Sequence, residues 1–188
     1  MGLRTKDFKI GVWHGKGKAS KSRKEEQLEK SLFKKGLLYL YVSRHKENNT
    51  LIRLVAFEMP LNDPNTGECI DLLGIDKNWQ PYIFELKARE GEGLKKAREE
   101  INKYHDKFDR IMGYVQKEIR EKYLIPNFKF KEKVKKIVLA EQSYYRKYKK
   151  PEDNDINYFF LKDVKNISRD KGPEIINIHK TKKKNFRK

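Results

Sequence analysis

Residues 69–88 read Cys69-Ile70-Asp71-Leu72-Leu73-Gly74-Ile75-Asp76-Lys77-Asn78-Trp79-Gln80-Pro81-Tyr82-Ile83-Phe84-Glu85-Leu86-Lys87-Ala88. Two short apolar runs, Cys69 to Ile75 and Tyr82 to Ala88, flank a polar stretch, and that spacing predicts a β-hairpin. With a side-chain period of two, Tyr82, Phe84, Leu86 and Ala88 share one face of the second strand; Ile83, Glu85 and Lys87 share the other. The first face is continuously apolar and belongs on a core. The second carries a carboxylate and an ammonium side by side. If the hairpin closes through Lys77-Asn78-Trp79, Asp71 falls directly opposite Glu85, and residues directly opposite share a face. Two carboxylates with Cβ atoms about 5 Å apart repel each other unless a cation lies between them. Lys87 supplies part of that charge. A divalent ion would supply more, and hard oxygen ligands suit Mg²⁺ or Mn²⁺. The plainer alternative is a solvated strand face, where an exposed ion pair contributes about 0–1 kcal/mol.

Upstream, Ser22 is placed to cap a helix from Arg23 to Lys35, with Glu25 and Glu26 in its first turn. Leu28 and Leu32 lie four apart on one face, and Gly36 is the stop. Leu37 to Ser43 and Leu51 to Met59 read as strands joined by turn residues Asn48-Asn49-Thr50. Downstream, Leu94, Ala97, Ile101, Tyr104 and Phe108 keep helical spacing from Glu92 onward. The pattern runs on through Ile111, Val115 and Ile119, with Gly113 as its weak point and Pro126 as its end. Val134 to Glu141, Asn157 to Lys162 and Glu174 to His179 read as further strands. Helix, strands, helix and strands describe an α/β or α+β domain with one central sheet.

The chain has 188 residues and a formal net charge of +18, from 45 Lys and Arg against 27 Asp and Glu. One domain of this length can bury a proper core. Lys rises without a matching Glu, which favours a polyanionic partner, nucleic acid above all, over a merely Lys- and Glu-rich surface. No stretch approaches the ~20 apolar residues of a membrane helix. Nor does the N-terminal sequence lead into an apolar signal core. The expectation is a cytoplasmic protein with no membrane partner. A single cysteine, Cys69, excludes an intrachain disulfide framework and reads as a small buried residue. None of the four histidines forms an i,i+4 pair. The Gly- and Lys-rich stretch around Gly15 lacks the spacing of a phosphate-binding loop. Residues 1–21 read instead as a basic flexible arm, in which Lys16, Lys18 and Lys21 are candidate nucleic-acid contacts, and 180–188 as a basic tail. The run Gln142 to Lys150 mixes tyrosines with Arg146, Lys147, Lys149 and Lys150. It fits a base-stacking, backbone-tracking segment and a surface loop with inward tyrosines equally well.

Asp71, thirteen intervening residues, then Glu85-Leu86-Lys87 resembles the signature of the PD-(D/E)XK nuclease superfamily, which includes restriction endonucleases and Holliday-junction resolvases. The resemblance covers roughly residues 22 to 141, within a domain spanning 22–179. It implies a restriction endonuclease-like α/β core: a mixed central β-sheet flanked by helices. It also implies an Mg²⁺- or Mn²⁺-dependent endo- or exodeoxyribonuclease. Asp71 and Glu85 would then be metal ligands, with the Leu86 backbone carbonyl a third, and Lys87 would act on the attacking water or the transition-state charge. Some branches carry Gln-x-x-x-Tyr on the next helix; Glu100-Ile101-Asn102-Lys103-Tyr104 matches that spacing with Glu for Gln. Glu100 and Tyr104 are accordingly accessory candidates, as are Glu25 and Glu29 on the first helix. Many members pair as homodimers to cut two strands. The alternative is a non-catalytic nucleic-acid-binding protein with a nuclease-like fold.

Overall fold

The computed structural model describes residues 23–41, 50–61, 68–87, 93–131, 133–145, 155–162 and 174–177. The basic arm, the basic tail and the candidate contacts Lys16, Lys18, Lys21, Arg146, Lys147, Lys149 and Lys150 lie outside these residues.

Helix α1 (Arg23–Lys35) has Glu25 and Glu26 in its first turn and Lys34 and Lys35 in its last, so both ends complement the helix dipole. Gly36 ends it at φ +71°, a conformation that costs glycine little, with its N–H donating to the Phe33 carbonyl at 2.9 Å. Strands β1 (Leu37–Tyr41) and β2 (Thr50–Pro60) are antiparallel, and β2 pairs in turn with β3 (Cys69–Asp76). β3 and β4 (Pro81–Lys87) form the expected hairpin, with Leu72 opposite Phe84 and Ile75 opposite Pro81. Asp76 builds its turn: Oδ1 accepts from the N–H groups of Asn78 and Gln80 at 2.8 and 3.0 Å. Trp79 takes the left-handed backbone there, φ 61°.

Helix α2 (Leu94–Tyr123) carries the chain to β5 (Lys135–Glu141), parallel to β4, the kind of connection that parallel neighbours require. Its 30 residues run unbroken through Gly113, because Phe108, Ile111, Val115 and Ile119 are all buried and hold one continuous stripe against the sheet. The expected weak point is therefore not a break. A four-residue helix, α3 (Gln142–Tyr145), precedes β6 (Ile156–Lys162), parallel to β5. Tyr144 and Tyr145 are buried, edge to face at 5.3 Å, and the Tyr145 hydroxyl bonds the carbonyls of Val138 and Phe159. These two tyrosines pack inward and do not stack on bases. Last, β7 (Glu174–Asn177) is antiparallel to β6 and parallel to β1, which closes the strand order on itself.

The chain is thus α/β, with one mixed, curled sheet of order β1-β2-β3-β4-β5-β6-β7. Side chains from β1 to β6 converge with Leu28 and Leu32 of α1 in one apolar cluster, the inner face of the curl. The outer face of β2 to β6 packs against α2, α3 and the phenylalanines Phe128 and Phe130. Both faces of β4 are therefore covered, where the alternation had left one face open to either a site or solvent. Among the described residues no helix is long and apolar enough to cross a membrane.

Candidate active site

On β4, Ile83, Glu85 and Lys87 share the outer face; Ile83 joins the α2 core, as do Val138 and Ala140, the β5 partners of Glu85 and Lys87. On β3, Leu73 belongs to the same core, which puts Asp71, two residues before it, on that face as well. The last paired residues of the hairpin are Leu72 and Phe84, so one further step along the register brings Asp71 opposite Glu85. Asp71, Glu85 and Lys87 are only 4%, 3% and 6% exposed. That burial excludes the solvated strand face.

Charge is concentrated beneath α2. The Lys87 ammonium sits 2.7 Å from Glu85 Oε1 and 2.9 Å from Glu100 Oε2, and Lys96 stands 3.9 Å from the other Glu100 oxygen. Asp71 Oδ2 accepts the Leu86 N–H at 2.6 Å. In an extended strand the N–H and C=O of one residue leave by the same edge, so the Leu86 carbonyl also faces the β3 side, next to Asp71. Glu85 Oε2 is buried and has no hydrogen-bond partner among the described residues. Burial drives the Glu85 carboxyl well above the usual carboxylate range; Asp71 and Glu100 push the same way, and Lys87 opposes them. Burial lowers the Lys87 ammonium, but Glu85 and Glu100 outweigh it, and the group is held above its ordinary value. The half-buried Tyr104 hydroxyl is raised by burial and then by Glu85, Glu100 and Asp71, which sets it beside the same carboxylates.

Of the residues singled out from sequence, Asp71, Glu85, Leu86, Lys87, Glu100 and Tyr104 are thus brought together. Glu25 and Glu29 belong to α1, which packs on the inner face of the sheet. Glu29 is buried, and its Oε1 accepts the Glu58 N–H at 3.2 Å. Glu58, which the sequence reading passed over, lies between Phe57, opposite Leu72, and Met59, opposite Ile70, and its backbone is tied to α1 through Glu29. Its φ of 45° is an outlier for a residue with a Cβ, of the kind that collects at functional sites. A lone carboxylate inside the apolar run Leu51 to Met59 was the available signal, the same one that drew attention to Asp71. Cys69, expected to be buried, is half-buried at the start of β3.

A divalent cation can be tested against these groups. No set of three or more His, Cys, Asp or Glu side chains among the described residues is arranged to hold a metal. The donors available are two carboxylates and a main-chain carbonyl, all hard oxygens, and Glu85 Oε2 is an acceptor with nothing to accept. Oxygen donors of this kind are those that Mg²⁺ or Mn²⁺ would prefer. In comparisons with family models, curated proteins and solved structures, none matches the chain.

Proposed function

We propose that the protein is a metal-dependent nuclease of the PD-(D/E)XK type that hydrolyses phosphodiester bonds in DNA. The observation that carries this is the buried constellation on β3 and β4: Asp71 level with Glu85, an orphaned Glu85 oxygen, and Lys87 alongside. Buried charges are expensive, and such an arrangement is a poor means of stabilising a core. In support, strands β2 to β5 form a mixed sheet with α1 on one face and α2 on the other, the general α/β arrangement such an enzyme would need. The net charge of +18 suits a polyanionic substrate.

Asp71, Glu85 and the Leu86 carbonyl would hold Mg²⁺ or Mn²⁺. When bound, such an ion supplies Lewis-acid charge at the phosphate oxygens and makes water a competent nucleophile near neutral pH. Lys87 offers its ammonium to the attacking water and to the negative charge that accumulates on the phosphate in the transition state. Glu100 holds Lys87 in that direction through the 2.9 Å ion pair. Hydrophobic walls from α2 keep the local dielectric low, which strengthens each of these interactions.

The test is incubation of wild type, Glu85→Gln and Asp71→Ala/Glu85→Ala with supercoiled and linear DNA in EDTA, Mg²⁺ and Mn²⁺. Metal-dependent nicking or degradation is expected in wild type, weakened at least about 100-fold in Glu85→Gln. Cleavage that survives in the purified double variant overturns the proposal. A second function is favoured by one observation, the bridging of Lys87 by both Glu85 and Glu100. A nuclease-like fold whose site is a closed ion-pair cluster would bind nucleic acid without cutting it. It would give a salt-sensitive gel shift, unchanged in both variants, and silence in every metal.

A further inference from the structure

At the far end of α2 from these carboxylates, a groove of about 720 Å³ opens between β1, β2, the β3–β4 turn and the last turns of the helix. Its floor is apolar, formed in part by Val55, Ile75 and Ile119, all buried. Three aromatic side chains line it: Tyr39 and Tyr123, 37% and 38% exposed, and the half-buried Trp79. Leu37 and Leu51, each 48% exposed, extend the apolar surface. Trp79 is fixed in place. Its N–H donates to the Asp76 carbonyl, its own carbonyl accepts the Lys131 N–H, and its ring rests on Phe128 at 5.3 Å.

Cations edge the groove. Arg53 and Lys77 line it, and Arg53 stands close enough to Tyr123 to oppose the effect of burial on that hydroxyl. The carboxylate of Asp76 is engaged within the turn, by the N–H groups of Asn78 and Gln80 and by the Tyr82 hydroxyl at 3.2 Å. Aromatic faces over an apolar floor, with guanidinium and ammonium groups beside them, suit unpaired bases whose phosphates run along the cations. A duplex keeps its base faces stacked on one another and would present only phosphates to this apolar floor. A chain of net charge +18 draws a polyanion rather than another copy of itself.

We propose that this groove binds single-stranded nucleic acid by base stacking on Tyr39, Trp79 and Tyr123, with Arg53 and Lys77 meeting the backbone. Tyr104 and Tyr123 are 19 residues apart on one helix, about 28 Å along its axis, so the groove is separate from the carboxylates. Binding here does not rest on the nuclease proposal.

The test is fluorescence anisotropy with a labelled twelve-residue oligothymidylate, and with a duplex of equal length, in EDTA so that no metal-dependent reaction intervenes. Tyr39→Ala and Tyr123→Ala should each weaken binding of the single strand about tenfold. Tyr114→Ala should leave it unchanged, since Tyr114 is exposed on α2, nine residues away and so on the opposite side of the helix. In a Trp13→Phe background Trp79 is the sole tryptophan, and its fluorescence should be quenched by the oligothymidylate. Failure of the single strand to bind overturns the proposal, as does equal binding by all three tyrosine variants. So does a wild-type dimer in sedimentation that Leu51→Asp dissociates without change in oligothymidylate affinity, for the groove would then be a contact between copies.

Discussion

Lys87 is an ammonium with almost no access to water, held between two carboxylates on different elements. Removing one member of such a cluster leaves the others uncompensated, whereas removing charges together costs far less. Lys87→Met keeps the volume and is expected to lower the unfolding free energy by about 3 kcal/mol in EDTA. Adding Glu85→Gln should restore part of that loss, and urea denaturation of the two single variants and the pair measures the coupling. Glu85→Gln alone removes a carboxyl that burial and Asp71 already disfavour as an anion. Because Glu100 still pairs Lys87, the variant's midpoint should fall less than that of Lys87→Met while any cleavage disappears, a separation of stability from activity that marks a functional residue. Glu100→Gln should reduce cleavage about 10- to 100-fold, the usual effect of losing a group that orients another, with the fold intact by circular dichroism. Asp71, Glu85 and Lys87 were legible in the sequence because alternation and hairpin register act over a few residues. Their burial was not, since the cover comes from α2, and Glu58 was not, since no glycine announces its left-handed backbone.

Two glycines behave oppositely because of the elements that hold them. A Cβ on Gly113 would meet nothing within 4 Å, and the residue is exposed in the interior of α2. Gly113→Ala should therefore stabilise the protein by about 0.5–1 kcal/mol, read as a higher melting temperature. A Cβ on Gly74 would come within 2.4 Å of Ile52 Cγ2 and 3.2 Å of the Arg53 carbonyl, across the β2–β3 pairing. Neither neighbour yields easily, as Ile52 is buried and branched, and Gly74→Ala should destabilise by about 1–3 kcal/mol. Between the same layers, Glu68 beside β3 bridges Lys103 and Lys107 of α2. Burial would raise its pKa, but the two lysines outweigh it and hold the group below the ordinary 4.5. The stability it lends is thus present above pH 4.5 and lost as pH falls through the lower, folded value. A Glu68→Gln variant should show a shallower acid limb in melting temperature against pH, by an amount within about 1 kcal/mol for a bridge whose lysines reach solvent. Apart from α3, the elements were readable from periodicity and turn chemistry; pairing extended β2, β3, β4 and β6 by a residue at an end, while β5 and α2 begin one and two residues later than the pattern implied. Gly113 was misleading because helix propensity is a local cost and the buried stripe on either side of it is a tertiary gain.

At the scale of the whole molecule, length and the order of elements implied one α/β domain and charge a polyanionic partner, but nothing implied a closed ring of strands. Closure depends on β7, four residues long, meeting β6 on one side and β1 on the other, and nothing local in Glu174 to Asn177 reveals a partner so distant in sequence. A chain ending before Glu174 would leave β1 and β6 with unpaired edges, which invite pairing with other chains. Such a truncation is expected to self-associate with rising concentration in sedimentation, while the full chain does not respond in the same way. The charge excess makes a further expectation: the logarithm of nucleic-acid affinity should fall linearly with the logarithm of salt concentration, with a slope that counts phosphates neutralised. A flat salt dependence would argue against a nucleic-acid partner.

Ring closure also sets a timetable. Leu40 and Tyr41 find their β7 partners, Ile175 and Ile176, only after every strand from β2 to β6 has been made. On a ribosome the early strands must wait as an unfinished sheet until the last has emerged, and pairings so remote in sequence form slowly even then. Arrival of β7, more than any strand before it, is what lets the ring close.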